Sequence, residues 1–221
     1  MWYDALFEEL EQLEDCVQAE RMSAYMQHQF SFLGIPTPKR KAAVKPYLKQ
    51  APKEENDWGF VKECWKKDYR EAQYVGMDYL LLRQKKLKKE DLNRIRELLT
   101  EKSWWDTVDI LDGIAGVIVK RNPDLKEEML TWSASDSIWL RRAAINFQLK
   151  YKGETDTALL EQIICNNLES REFFINKAIG WSLRDYGRID PEWVRAFLEK
   201  YKDGLASLSK REAMKYVGSE K

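Results

Sequence analysis

The apolar positions of this chain recur at helical spacing almost from end to end. Trp2, Leu6, Leu10, Leu13 and Val17 stand three or four apart, which predicts an amphipathic helix over residues 2–17. Met22, Tyr25, Met26, Gln29 and Phe30 mark a second helix over residues 21–32. Gly34 breaks that pattern, and Pro36-Thr37-Pro38 makes a stiff link. Thr37-Pro38 reads as a cap followed by proline at the first helical position. It opens a helix that runs to about Gln50 and carries Lys39, Arg40, Lys41, Lys45 and Lys49.

Beyond Pro52 a longer period is superimposed on the helical one. Small or β-branched residues at Ala72, Val108, Ala143, Ala178 and Ala213 lie at intervals of 36, 35, 35 and 35 residues. Each of these marks sits in a helix, expected over 68–83, 103–120, 136–151, 171–186 and 207–217. Each such helix is preceded by another, over 54–66, 91–100, 123–132, 155–168 and 191–201. Two helices per unit at this spacing predict an all-α fold, a HEAT-like α-solenoid of antiparallel helix pairs of the ARM-repeat type. The expected organisation is one domain over 1–221, with 1–50 as an N-terminal helical cap and 51–217 as repeats. In such an array the second helix of each pair lines one curved side, where an extended partner binds.

Aligning the repeats on their marks separates core from chemistry. Four residues before the mark stand Trp104, Trp139 and Phe174, a recurring aromatic that reads as core. Three before it stand Tyr69, Trp105, Leu140 and Ile175. One after it stand Gln73, Asp109, Ala144, Ile179 and Met214, so Asp109 alone is charged there. A half-buried carboxylate destabilises a fold unless something pairs with it. One before the mark stand Glu71, Thr107, Arg142, Lys177 and Glu212, polar throughout. Helical angles place −3 and +1 on one flank of the apolar stripe and −1 and +3 on the other. Trp105 and Asp109 are therefore expected to meet Arg142 of the next unit across a shared groove, with Trp181 on the same flank as Arg142. Ser103 three residues before Asp106 resembles a capping box that starts the helix.

Composition narrows the chemistry further. The chain has 221 residues, is 44% apolar and 33% charged, and has the length for a real core. His28 is the only histidine, and Cys16, Cys64 and Cys165 form no paired spacing. Zinc sites and histidine-dependent nucleophile pairs are thereby close to excluded. Three unpatterned cysteines fit a reducing cytoplasm. No signal peptide is seen, and no apolar run approaches membrane length. The net charge of zero hides an asymmetry: residues 1–20 carry −7 and the remainder +7. That excess can form a basic face for a polyanion, although a well-solvated helical surface accounts for the same count. The expected contributors to the basic face are Arg141, Arg142, Lys150, Lys177, Arg184 and Arg211.

Four blocks in order carry a resemblance to a known family. They are Phe32-Leu33-Gly34-Ile35-Pro36-Thr37-Pro38-Lys39-Arg40, Lys102-Ser103-Trp104-Trp105-Asp106-Thr107-Val108-Asp109, Ile138-Trp139-Leu140-Arg141-Arg142-Ala143-Ala144 and the run from Phe173 to Tyr186 that contains Ala178-Ile179-Gly180-Trp181. The chain resembles the DNA alkylation repair family, the HEAT-like-repeat alkylpurine DNA glycosylases, over residues 22–216. Pro36 departs from the pattern where some relatives carry a polar residue.

The resemblance implies a monofunctional glycosylase that hydrolyses the N-glycosidic bond of cationic N3- or N7-alkylated purines in double-stranded DNA. Trp105, Asp109 and Arg142 match the family's active-site positions, Trp181 a further aromatic of the cleft and Tyr25 a cleft residue near the N-terminus. Thr37, Arg40, Arg141, Lys177, Arg184 and Arg211 join them as expected DNA contacts. A cationic base leaves readily, so a carboxylate at Asp109 need only stabilise the sugar cation and orient water. Arg142 is expected to hold a phosphate beside the lesion. No cofactor, metal or membrane is implied, and a cytoplasmic monomer is expected. Two alternatives are a catalytically inactive DNA-binding relative and a HEAT-type protein-binding adaptor.

Overall fold

The computed structural model describes residues 1–217, and every regular element in them is helical. One isolated bridge, between Ser31 and Tyr69, is the only β pairing among the described residues. The fold is all-α, of the α-solenoid class, and divides into two compact units, the first Met1–Leu87 and the second from Lys88 onward.

The first unit holds α1 (Leu6–Glu11), α2 (Cys16–Tyr25), α3 (Thr37–Gln50), α4 (Trp58–Lys66) and α5 (Arg70–Arg83). Its core is aromatic. Trp2, Tyr3 and Tyr79 surround Phe60, with ring centroids 4.4, 5.0 and 5.3 Å away. Asp57 ties this cluster to the start of α4. Its Oδ1 accepts from Phe60 N at 2.9 Å and its Oδ2 from the Trp2 indole at 2.8 Å.

Two expectations for the N-terminus are corrected here. The helix expected over 2–17 stops at Glu11, because Asp15 is extended and caps a new helix by accepting from Gln18 N at 3.0 Å. Val17 is consequently 66% exposed rather than part of an apolar face. The second helix ends at Tyr25, well before residue 32, because Gln27 and His28 both take positive φ. The helix after the prolines begins one residue earlier than expected, with Pro36 as its extended N-cap and Thr37 already helical.

The 32–36 loop is organised by one side chain. Glu71, fully buried on α5, accepts from the backbone N–H groups of Leu33, Gly34 and Ile35 at 3.0, 2.9 and 3.1 Å. Gly34 has φ +83°, and a Cβ there would lie 2.2 Å from Asp15 O. The acidic surplus of α1 is partly used within the same unit. Glu9 accepts from the Tyr47 hydroxyl at 2.7 Å, and Glu11 pairs with Lys67 at 3.2 Å.

The second unit holds α6 (Asp91–Thr100), α7 (Trp105–Arg121), α8 (Lys126–Ser133), α9 (Ile138–Asn146), α10 (Thr157–Cys165), α11 (Phe173–Tyr186), α12 (Pro191–Lys200) and α13 (Ser207–Ala213). α7, α9, α11 and α13 pack in succession, while α6, α8 and α12 pack on α7, α9 and α11. The marks Val108, Ala143, Ala178 and Ala213 are each completely buried, as small residues at a helix–helix contact should be. α9 ends at Asn146, five residues short of the sequence expectation. The chain turns there because the Phe147 carbonyl comes down on Gly116 of α7, where a Cβ would lie 2.2 Å from it. Tyr151 closes the same contact by donating to Gly116 O at 2.6 Å.

Candidate active site

Asp109 stands on the second turn of α7, four residues after Trp105, so both project from one face of the helix. The capping box expected from Ser103 does not form. Ser103 Oγ donates back to Leu99 O at 2.7 Å, and Trp104 serves as an extended N-cap without a side-chain bond. α7 therefore begins at Trp105, at the helix end where the partial positive charge of the backbone gathers.

Across from Asp109, α9 presents Arg142. Its Nε donates to Asp109 Oδ1 at 2.7 Å and its Nη2 to Asp109 Oδ2 at 2.8 Å. This is a two-point guanidinium–carboxylate pair of the strong, orienting kind. The Arg142 Nη1 donates to Phe174 O on α11 at 2.6 Å. One arginine thus joins three consecutive second helices. Its side chain is 2% exposed, whereas that of Asp109 is 22% exposed. The meeting of Asp109 with Arg142 across the repeat boundary follows the helical angles. The burial of Arg142 does not: in this geometry a phosphate reaches its guanidinium only if the side chain moves.

Trp181 of α11 completes the surroundings of Arg142. The cationic groups of Arg142, Lys177 and Arg184 lie 5.4, 5.7 and 6.0 Å from its ring centre. The half-buried Lys177 and Arg184 share Glu212 of α13, at 2.8 and 3.0 Å, and Lys215 joins them at 2.8 Å. Hydrogen bonds from Lys177 and Lys215 pull the Glu212 carboxyl down to a pKa of about 2. Three cations around one carboxylate leave the cluster positive.

The remaining sequence candidates are less united. Arg141 is half-buried, with its Nε unpartnered, beside Asp136 and Asn166 in a separate depression. Arg211 and Lys150 are exposed. Tyr25, Thr37 and Arg40 belong to the first unit. Tyr25 is 72% exposed at the edge of a groove with Met22, Met26, Phe32 and Tyr74. Thr37 is exposed. Arg40 is buried, donating to Asp78 at 3.1 Å and lying 4.8 Å over the Tyr74 ring. The recurring aromatics Trp104, Trp139 and Phe174 pack on one another, with centroids 5.6, 5.2 and 5.0 Å apart. They form a half-buried three-ring cluster rather than the buried core expected of them.

Asp112, absent from the sequence candidates, lies one helical turn beyond Asp109 and is 3% exposed. The repeat comparison carries the signal. Four after the mark stand Gly76, Asp112, Phe147, Ser182 and Val217, so Asp112 is again the one charged residue at its position. Burial, with the Asp109 charge second, pushes its carboxyl up to a pKa of about 7 against the opposing pull of Asn146 and Arg142. Among the described residues no three histidine, cysteine or acidic side chains gather as a metal site. None of the described helices is long and apolar enough to cross a membrane.

A structure described as a predicted DNA alkylation repair enzyme from Enterococcus faecalis superposes with a TM-score of 0.86 at 34% identity, covering 93% of this chain and 97% of that one. No curated protein matches. The family model for DNA alkylation repair enzymes matches residues 6–217. With nearly the whole chain covered, the protein belongs to the DNA alkylation repair enzyme family, and its role lies in the repair of alkylated DNA.

Proposed function

We propose that the protein is a monofunctional DNA glycosylase that releases cationic N3- or N7-alkylated purines from duplex DNA. The observation that carries this reading is the Asp109 carboxylate, held at both oxygens by a buried arginine yet still partly open to solvent beside Trp105. A carboxylate fixed in this way needs no reorganisation when positive charge develops in front of it.

The chemistry asked of the site is modest. Alkylation at N3 or N7 leaves the purine cationic. When the C1′–N bond breaks, the base takes the bonding pair and departs neutral. Positive charge passes to the deoxyribose, where Asp109 stabilises it. Water adds at C1′ and gives up a proton to Asp109 or to solvent. Neither an added cofactor nor a lysine Schiff base enters this sequence, so the DNA strand stays intact after base release. Arg142 acts as a positioning residue that orients Asp109. Phosphate contacts fall to the positive group around Trp181, namely Lys177 and Arg184, and to the exposed Arg211 and Lys150. A monomer suffices for this arrangement.

The test is single-turnover release of 7-methylguanine from methylated duplex DNA by the wild type and by Asp109→Asn, with the melting temperature of both. Base release by the wild type and a loss of about a hundredfold or more in the variant, at unchanged fold and DNA affinity, is the expected result. DNA binding with no release by either protein would leave a catalytically silent binder instead.

A further inference from the structure

Behind Asp109 lies a cavity of about 260 Å³ that the reaction as described does not use. Asp112 and Asn146 face it, together with Asp109, Lys120, Lys150 and Tyr151. Asp112 and Asn146 are 3% and 1% exposed, and the Asn146 amide lies close enough to favour the Asp112 carboxylate, yet Asp112 Oδ2 and both polar atoms of the Asn146 side chain reach no partner with full hydrogen-bond geometry. Buried polar groups without partners are rare, and those that persist do so at strained, hydrated or functional positions. The cavity is roomy and polar enough to hold water against these atoms.

We propose that Asp112 is a positioning residue for base release: its carboxyl group, at the floor of this cavity with Asn146, sets the electrostatic field in which Asp109 meets the sugar cation. The inference rests on the glycosylase reading above. Asp112 lies one turn from Asp109 on the same face of α7, so its charge acts on the same reacting centre. Arg142, the partner of Asp109, also acts on Asp112. A second negative charge here strengthens the stabilisation of a developing cation.

The charged neighbours of Asp112 are few. α7 supplies Asp109 and Lys120, α9 supplies Arg142, and the turn after α9 supplies Lys150 and Tyr151. Lys120 pairs with Glu154 at 2.7 Å, and burial pushes the Tyr151 phenol up, away from neutrality. α6, also packed on α7, buries Leu92, Ile95, Leu98 and Leu99 and one charged group, Asp91, whose carboxylate pairs with Arg94 at 2.9 Å and accepts from Lys88 N at 2.8 Å. The turn at Pro123–Leu125 carries Asp124, which pairs with Lys89. With its carboxyl pushed up to about 7, Asp112 changes charge near neutrality.

The experiment compares pH profiles of single-turnover 7-methylguanine release for the wild type and Asp112→Asn between pH 5.5 and 8.5. The wild-type rate should rise on the order of tenfold as Asp112 ionises. The variant, which keeps the size of the side chain, should be flat at the rate of the wild-type acid limb, with unchanged DNA affinity. A second readout is independent of turnover: the carboxyl-carbon resonance of Asp109, followed by NMR in the free wild-type protein, should move at the pH where Asp112 titrates. It decides the matter if the variant does not fold, since an Asp109 resonance without a neutral inflexion overturns the inference. Release with the same pH profile in both proteins also overturns it while leaving the glycosylase reading intact. No release by the wild type at any pH refutes that reading, and this inference with it.

Discussion

Two carboxylates near matching repeat positions meet opposite fates. Glu71, one residue before its mark in the first unit, is fully buried, and both of its oxygens accept backbone N–H groups. Asp109, one residue after its mark in the second unit, is gripped by a single arginine and keeps a solvent-facing flank. The first is saturated and does architectural work, folding the 32–36 loop onto α5. The second is oriented but unsaturated, which is the condition for acting on something that arrives. Burial alone does not mark a functional acid; what counts is the coordination left over once the fold has taken its share.

The comparison breaks most visibly at Glu71. Glu71→Ala strands three buried N–H groups, which at about 1–3 kcal/mol each, offset by entering water, should cost about 4 kcal/mol in total. The melting temperature should fall on the order of 10 °C. Base release measured below both transitions should stay near the wild-type rate. A strong rate loss in folded Glu71→Ala would show that Glu71 serves the reaction as well as the fold.

Asp109→Asn makes the opposite exchange, about a hundredfold in rate for little stability. Arg142→Ala comes next. It releases Asp109 and opens the link to Phe174 O, so we expect a loss of about tenfold or more in rate and a destabilisation of about 2 kcal/mol, held down by the exposed flank of Asp109. Arg142→Lys should recover part of the stability and little of the rate, because an ammonium cannot make the two-point contact. Equal rates for both Arg142 variants and the wild type would show that orienting Asp109 contributes nothing.

Smaller effects should appear in stability against pH. The Asp112 carboxyl has its folded pKa raised to about 7, above its unfolded value near 3.8. The folded state therefore holds the proton more tightly, and this contribution is complete below the unfolded pKa and lost as pH rises through the folded one. Asp112→Asn should thus flatten the decline of melting temperature between about pH 4 and pH 7. Glu212 has the reverse sign, since its folded pKa is pulled down to about 2 from 4.5. Its contribution is present above about pH 4.5 and lost as pH falls toward 2. The melting-temperature gap between the wild type and Glu212→Gln should close over that window, as differential scanning fluorimetry would show.

Much of this was legible from the period of the chain. The helices around Val108 and Ala178 lie within two residues of their expected limits, because apolar spacing and turn residues act locally. The facing of Asp109 and Arg142 was legible as well, since flank angles on neighbouring second helices are fixed by residue number. The limits of α9 and of the first two helices were not. They depend on Phe147 meeting Gly116 and on Asp15 turning to cap α2, contacts that no local pattern encodes.

The sequence by itself determined the repeat, the succession of helices and which residues could share a face, because 3.6 residues per turn is a property of the backbone. Only the tertiary structure decided what each polar residue had left to offer. Thr107, Arg142, Lys177 and Glu212 look equivalent along the chain. Yet Arg142 is enclosed and engaged on two sides, Lys177 is half open beside Trp181, and Glu212 sits among three cations. Desolvation and partner count depend on what the neighbouring helices bring to the same place, and that is fixed only when the helices pack.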